Sequence, residues 1–154
     1  MHQKLIIDKL ASVLDATDRS HDVRLTEMLD SARRIFIAGA GRSKLVGNFF
    51  AMRLVHAGYD VSVVGEIVTP IIKNGDLLII ISGSGETEQL IAFTKSAQKV
   101  GAKIVLISAK SSSTIGDMAD AVFPVGTPEQ YGKVVGMPMG TVFELSTLIF
   151  LEAI

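Results

Sequence analysis

Three hydroxyl side chains fall within six residues in the run Ser82-Gly83-Ser84-Gly85-Glu86-Thr87. Ser82, Ser84 and Thr87 offer donors for the oxygens of a phosphate monoester, and Gly83 and Gly85 open the main chain so that its N–H groups can join them. The run leads into a helical pattern whose first amides also face an anion. Hydroxyls and amides suit a ligand that must bind and leave readily. Glu86 adds a negative charge beside that seat but complements the dipole of the following helix. Its carboxylate is therefore expected to point away from the phosphate or toward the rest of the ligand. The plain alternative is an ordinary turn with Ser84 as helix N-cap.

A second glycine-rich run, Gly39-Ala40-Gly41-Arg42-Ser43-Lys44, precedes another helical pattern. It is half of a dinucleotide-binding fingerprint, but Lys44 stands where the third glycine belongs. No Gly-Lys-Ser/Thr follows at the spacing of a P-loop. Arg42 and Lys44 place two cations in a first turn without an acid, opposing the helix dipole by about 0.3–1 kcal/mol each when exposed. A bound anion reverses that sign. A nicotinamide-dependent oxidoreductase would need glycine at position 44 and an acid after the second strand; Glu66 supplies the acid, but the glycine is absent.

The elements that must position these runs follow from apolar periodicity. Leu5, Ile6, Leu10 and Leu14 predict an N-terminal helix, and Leu25, Met28 and Leu29 a second over 24–32. Strands are predicted at 34–38, 61–64, 76–81, 103–108 and 121–125. The run 77–81 is apolar at consecutive positions, as in a central strand covered on both faces. Helices are predicted at 42–57, 87–100, 114–119 and 141–154, with Gly58 and Gly101 as C-terminal stops. The pattern is that of an α/β fold: a three-layer αβα sandwich around a five-stranded, mostly parallel sheet. Both glycine-rich runs then lie at strand carboxyl ends, where such sheets bind ligands. The expectation is one domain over 1–154, with helices of residues 1–32 packing on it or on a partner subunit.

The 154 residues carry a net charge of −1, which argues against nucleic acid as a partner. There is no cysteine, which removes disulfides and thiolate chemistry. Lys4, Asp8 and Lys9 interrupt the N-terminal apolar stretch, so no signal peptide is expected, and no apolar run is long enough for a membrane span. The expected setting is cytoplasmic. His2, His21 and His56 lie in separate segments without a carboxylate cluster, so no metal site is expected.

The Ser-x-Ser-x-x-Thr spacing, with Gly39-Ala40-Gly41-Arg42-Ser43 before it, resembles the sugar isomerase (SIS) domain family. The resemblance spans nearly the whole chain and implies a flavodoxin-like order of strands. It implies that Ser43, Ser82, Ser84 and Thr87 hold the phosphate of a sugar phosphate, with Gly41, Arg42, Gly83 and Gly85 against the substrate. Met52-Arg53-Leu54-Val55-His56-Ala57-Gly58 and Met139-Gly140-Thr141-Val142-Phe143-Glu144 resemble the hexulose-phosphate isomerases of that family. This implies movement of a carbonyl from C3 to C2 through a cis-enediol in the ribulose monophosphate pathway of formaldehyde assimilation, without a cofactor. Departures are Lys44 where the family has glycine, and a helix and basic, His-containing tail that relatives carry beyond the position of Ile154.

Such a reaction needs a base and a proton shuttle. The family's proposed base falls on Glu144, among Val142, Phe143, Leu145 and Leu148, where an apolar setting would make a carboxylate a stronger base. A solvent-facing glutamate at a helix start is the alternative. His56, in the last turn of its helix, is a candidate for ring opening or proton transfer, including in a neighbour's site; helix capping or packing is its alternative. Arg53 reads as a salt-bridge partner. The other functional reading is a catalytically silent module that senses a sugar phosphate. The apolar faces of the N-terminal helices and of the final helix predict a homodimer or homotetramer with sites near subunit interfaces.

Overall fold

The computed structural model describes residues 2–131 and 140–154. Met139 and most of the 127–138 loop, expected to shape substrate preference, lie outside the described residues.

Five strands form one sheet: β1 Ile35–Gly39, β2 Val61–Val63, β3 Leu77–Ile81, β4 Lys103–Ser108 and β5 Ala121–Pro124, in the order β2-β1-β3-β4-β5. Every neighbouring pair is parallel, with Gly39 opposite Ile81 and Ile81 opposite Ile107. β3 is central, and all five of its residues are buried, as its unbroken apolar run predicts. Each of these side chains contributes roughly 1.5–3 kcal/mol relative to an exposed one.

The two faces of the sheet sort the helices into layers. Ile35, Ile37, Leu77, Ile79, Ile81, Val105 and Ile107 pack against α1 (His2–Asp15), α2 (Ser20–Ser31), α3 (Gly41–His56) and α6 (Thr141–Glu152), through Val13, Leu25, Leu29, Phe50, Leu54 and Phe150 among others. Phe36, Ala38, Leu78, Ile80, Ile104 and Leu106 face α4 (Glu88–Val100) and α5 (Thr114–Met118), through Leu90, Ala97 and Ile115. This is the three-layer αβα sandwich that the sequence predicts.

Gly58 and Gly101 follow α3 and α4 with φ of 94° and 79°, so both stops fall as expected. α2 starts four residues before its predicted start. His21 packs edge-on against Phe123, with ring centroids 5.1 Å apart, and so extends the apolar face to a residue that does not read as apolar. A 3-10 turn at Pro128–Tyr131 lies outside the predicted elements.

The amino end of the sheet is closed by Asp76, whose side chain is inaccessible to solvent. It accepts from Arg33 Nε at 3.2 Å, Arg34 Nη2 at 3.1 Å and the Lys73 N–H at 2.8 Å. Burial pushes its pKa up, but the bonds from Arg34 and Lys73 and the charges of both arginines outweigh that and hold it below the ordinary value. A depressed carboxyl stabilises the fold fully above its unfolded pKa, about 4, and loses that contribution as pH falls through the lower folded value. Asp76→Asn, which leaves two arginines facing a neutral group, is expected to cost about 3 kcal/mol. Thermal denaturation followed by circular dichroism should show a Tm lowered by roughly 6–12 °C at pH 7, with the gap to the parent closing below pH 4.

Candidate functional site

Strand order reverses at β1: the chain leaves β1 into α3 on one layer and leaves β3 into α4 on the other. The carboxyl ends of these adjacent strands, roughly 4.8 Å apart, therefore feed two loops that diverge around a crevice. The 82–87 loop forms one wall and the 39–44 loop the other.

In the first loop, Ser82 is buried and its Oγ accepts the Gly85 N–H at 3.1 Å, with Thr87 Oγ1 at 3.5 Å. Ser84 Oγ accepts the Glu86 N–H at 3.1 Å, which leaves its own proton free to donate. The N-cap of α4 is Thr87, not Ser84, and its hydroxyl makes no capping bond. That hydroxyl and the first amides of α4 are left for a ligand. Glu86 turns away from the crevice, as expected: its carboxylate accepts from the Thr114 N–H at 2.9 Å and Thr114 Oγ1 at 2.5 Å. Gly85 has φ +64°, and a Cβ there would lie 2.1 Å from Ser113 Oγ.

In the second loop, Ala40 is the N-cap of α3, and Gly41, Arg42, Ser43 and Lys44 form its first turn, which carries no acid. Ser43 is half-buried. The two cations find acids outside the helix. Arg42 Nε donates to Glu144 Oε2, and Lys44 Nζ lies 3.8 Å from Glu66 Oε1. Gly47, one turn beyond Lys44, makes the close approach to β1: a Cβ there would sit 2.9 Å from Ile37 Cγ2. A dinucleotide-binding fingerprint would place that glycine at position 44.

A third helix end, predicted at 141 but not its place beside these loops, joins the two. α6 begins beside the crevice, where the Phe143 ring covers Gly83, with Cδ1 3.0 Å from where a Cβ would stand. Glu144 lies in the first turn, its side chain 12% exposed, with its carboxylate folded over Gly140 and joined to Arg42. The expected apolar setting is thus corrected: among the described residues a guanidinium bonds this carboxylate. Tyr131 supports this corner, stacking edge-on to Phe143 with centroids 6.1 Å apart and donating to the Val125 carbonyl; burial raises its pKa, so the phenol keeps its proton. The first turns of α3 and α6 thus meet at the Arg42–Glu144 pair, and Phe143 of α6 touches the hydroxyl loop that precedes α4. Hydroxyls, helix amides, a guanidinium and a carboxylate are the groups that an anion site with a proton-transfer step requires.

Residues 28–151 match the SIS domain. The 3-hexulose-6-phosphate isomerase of Methylomonas aminofaciens is 54% identical over 154 residues, covering 99% of this chain and 85% of its own. The one from Bacillus subtilis is 40% identical over 136 residues, covering 85% and 73%. A crystal structure from Methanococcus jannaschii, of a protein inferred to have that same molecular function, superposes with a TM-score of 0.85 at 34% identity, over 98% of this chain and 85% of that one. The chain belongs to the SIS domain family.

Two further candidates of this SIS chain lie elsewhere. His56 ends α3, thirteen residues from Ser43 and so about 20 Å away along the helix axis. It lines a shallow cavity with Phe49, Met52, Arg53 and Glu152. The fold separates His56 from its own chain's crevice. Arg53 pairs with Glu152, the salt bridge its position suggested. A cavity of about 550 Å³ opens at the amino end of the sheet, opposite the crevice, lined by Arg24, Asp76, Lys103 and Asp120 among others. Asp76 and Asp120 there are already bonded by Arg34 and by Lys103 and the Ile104 N–H.

Proposed function

We propose that this chain is a ketose-phosphate isomerase that interconverts D-arabino-3-hexulose 6-phosphate and fructose 6-phosphate by acid–base chemistry alone. The observation that carries the reading is the Glu144 carboxylate paired with Arg42, the neighbour of Ser43 in the first turn of α3. The identity to proteins named 3-hexulose-6-phosphate isomerase supports the choice of sugar.

The phosphate sits on Ser43, Ser82, Ser84 and Thr87 with the amides of α3 and α4, and Gly41, Gly83 and Gly85 let the main chain approach it. Glu144 takes the C2 proton, and the C–H electron pair forms the C2=C3 bond of the cis-enediol as the C3 carbonyl oxygen gains a proton. Returning a proton to C3 while the C2 hydroxyl gives one up leaves the carbonyl at C2. Arg42, in contact with the carboxylate, stands where a developing enediolate oxygen needs a positive charge. Proton NMR in deuterated water tests this: fructose 6-phosphate should exchange a carbon-bound hydrogen with solvent. Absence of exchange together with normal binding favours the sensing module, a reading supported by the ion pair that occupies Glu144.

A cytoplasmic setting fits the metabolic enzymes this chain resembles. A homodimer or homotetramer fits its exposed apolar side chains, although α6, expected at the interface, buries Phe143, Phe150 and Leu151 in the core. Leu45, Phe49 and Met52 of α3 are 66%, 51% and 53% exposed. With His56 they are spaced 4, 3 and 4 residues apart, a stripe that reads the same in both directions. Two copies of α3 crossing antiparallel about a two-fold axis would set Phe49 against the partner's Met52, and Leu45 against the partner's His56. That places the partner's His56 beside the first turn of α3, at the crevice its own chain keeps it from, where it can serve ring opening or proton transfer. Ile67 and Val68, 102% and 93% exposed beyond β2, offer a second apolar patch for a tetramer. Phe49→Glu is expected to shift the protein toward monomer in light scattering and to lower kcat by at least roughly tenfold. An unchanged mass would remove α3 from the interface.

A further inference from the structure

The 82–87 loop is held from behind by the connection from β4 to α5. The Ala109 N–H donates to the Gly83 carbonyl at 3.1 Å and the Ile115 N–H to the Gly85 carbonyl at 3.0 Å. Ser108 Oγ reaches the Gly83 carbonyl at 3.4 Å. Glu86 supplies the only carboxylate of the loop, and its two halves face opposite ways. Its N–H turns inward to Ser84 Oγ, while its side chain turns outward to Thr114.

We infer that Glu86 is a positioning residue for substrate: its bidentate pairing with Thr114 keeps a carboxylate next to Thr87 turned away from the phosphate dianion and fixes the hydroxyl loop to the segment behind it. The inference rests on the phosphate seat proposed above. The bonds from the Thr114 hydroxyl and then its N–H, with the nearby Lys110 charge, hold the Glu86 carboxyl below the usual range, so it is ionised whenever substrate binds. An ionised group one residue from a ligand-bearing hydroxyl has two sites to choose between. Paired with Thr114 it is harmless; released, it can swing toward the dianion and repel it. The acid that looks out of place in a phosphate loop thus acts as a strut.

Thr114→Val removes the hydroxyl bond at constant shape and keeps the main-chain donor. Calorimetric titration with fructose 6-phosphate should show a Kd raised roughly five- to tenfold at low ionic strength. Because the loss is repulsion, the ratio to the parent should shrink toward unity at about 0.5 M salt. Glu86→Gln, placed in the Thr114→Val background, should restore binding to the parent value or better, since the charge is gone. In turnover, Thr114→Val should raise KM with kcat nearly unchanged. Parent-like binding by Thr114→Val at low salt would overturn the inference. So would a loss that salt and Glu86→Gln both leave intact, the signature of a purely structural threonine. A parent protein that fails to bind fructose 6-phosphate overturns the phosphate seat itself, and the strut with it.

Discussion

Glu144→Gln is expected to lower kcat by about three orders of magnitude while leaving the Kd for fructose 6-phosphate within a few-fold of the parent. The substitution keeps the side chain's size and its place over Gly140 but removes its ability to take a carbon-bound proton. The acid stands at the start of α6, whereas the phosphate donors stand in the loop after β3 and on α3, so the two functions separate cleanly. Arg42 would lose its anionic partner, so a change of a few-fold in Kd reports that freed charge rather than the phosphate seat. The rate of ketose interconversion gives kcat, solvent-exchange NMR follows the carbon proton, and calorimetry gives Kd. Parent-like exchange by the glutamine variant would remove Glu144 from the role of base.

The second large effect is expected from a single methyl group. Gly85→Ala forces a side chain onto a residue at φ +64° and drives its Cβ to 2.1 Å from Ser113 Oγ, so the loop must move. Backbone strain alone costs about 1–2 kcal/mol, and the displaced hydroxyls add to it. Affinity for fructose 6-phosphate should fall at least ~100-fold, equivalent to about 2.7 kcal/mol. Gly41→Ala is the matched control. Its φ is +54°, but no protein atom lies within 4 Å of the added methyl, so within the protein only the backbone term remains, roughly five- to thirtyfold if lost in full from affinity. Equal losses in the two variants would mean that strain alone, and not contact with the β4–α5 segment, sets the shape of the loop.

What the sequence reveals of this fold is whatever depends on neighbours in the chain. The run at 77–81 is apolar at every position, which only a doubly covered strand tolerates, and the hydroxyls at 82, 84 and 87 sit next to it. Glycine stops and alternating strand and helix patterns follow from the same local logic. What stays hidden depends on distant partners. Arg42 and Glu144 are 102 residues apart, so nothing local shows that two candidates on separate loops form an ion pair. Nor does it show that Phe143 covers Gly83, or that Thr114 waits 28 residues downstream to take the Glu86 carboxylate. His56 is the instructive case. Its helical position is legible, and the length of α3 already sets it about 20 Å from Ser43. The α3 stripe of Leu45, Phe49 and Met52 becomes visible as an unpaired face only once α6 and the sheet are seen covering the other side.

The measurement closest to the heart of the account is a crystal of this protein soaked with fructose 6-phosphate. The phosphate should lie within hydrogen-bond reach of Ser82, Ser84 and Thr87, with C2 and C3 of the sugar turned toward Glu144. A phosphate bound instead in the cavity at the amino end of the sheet, with the crevice empty, would contradict it.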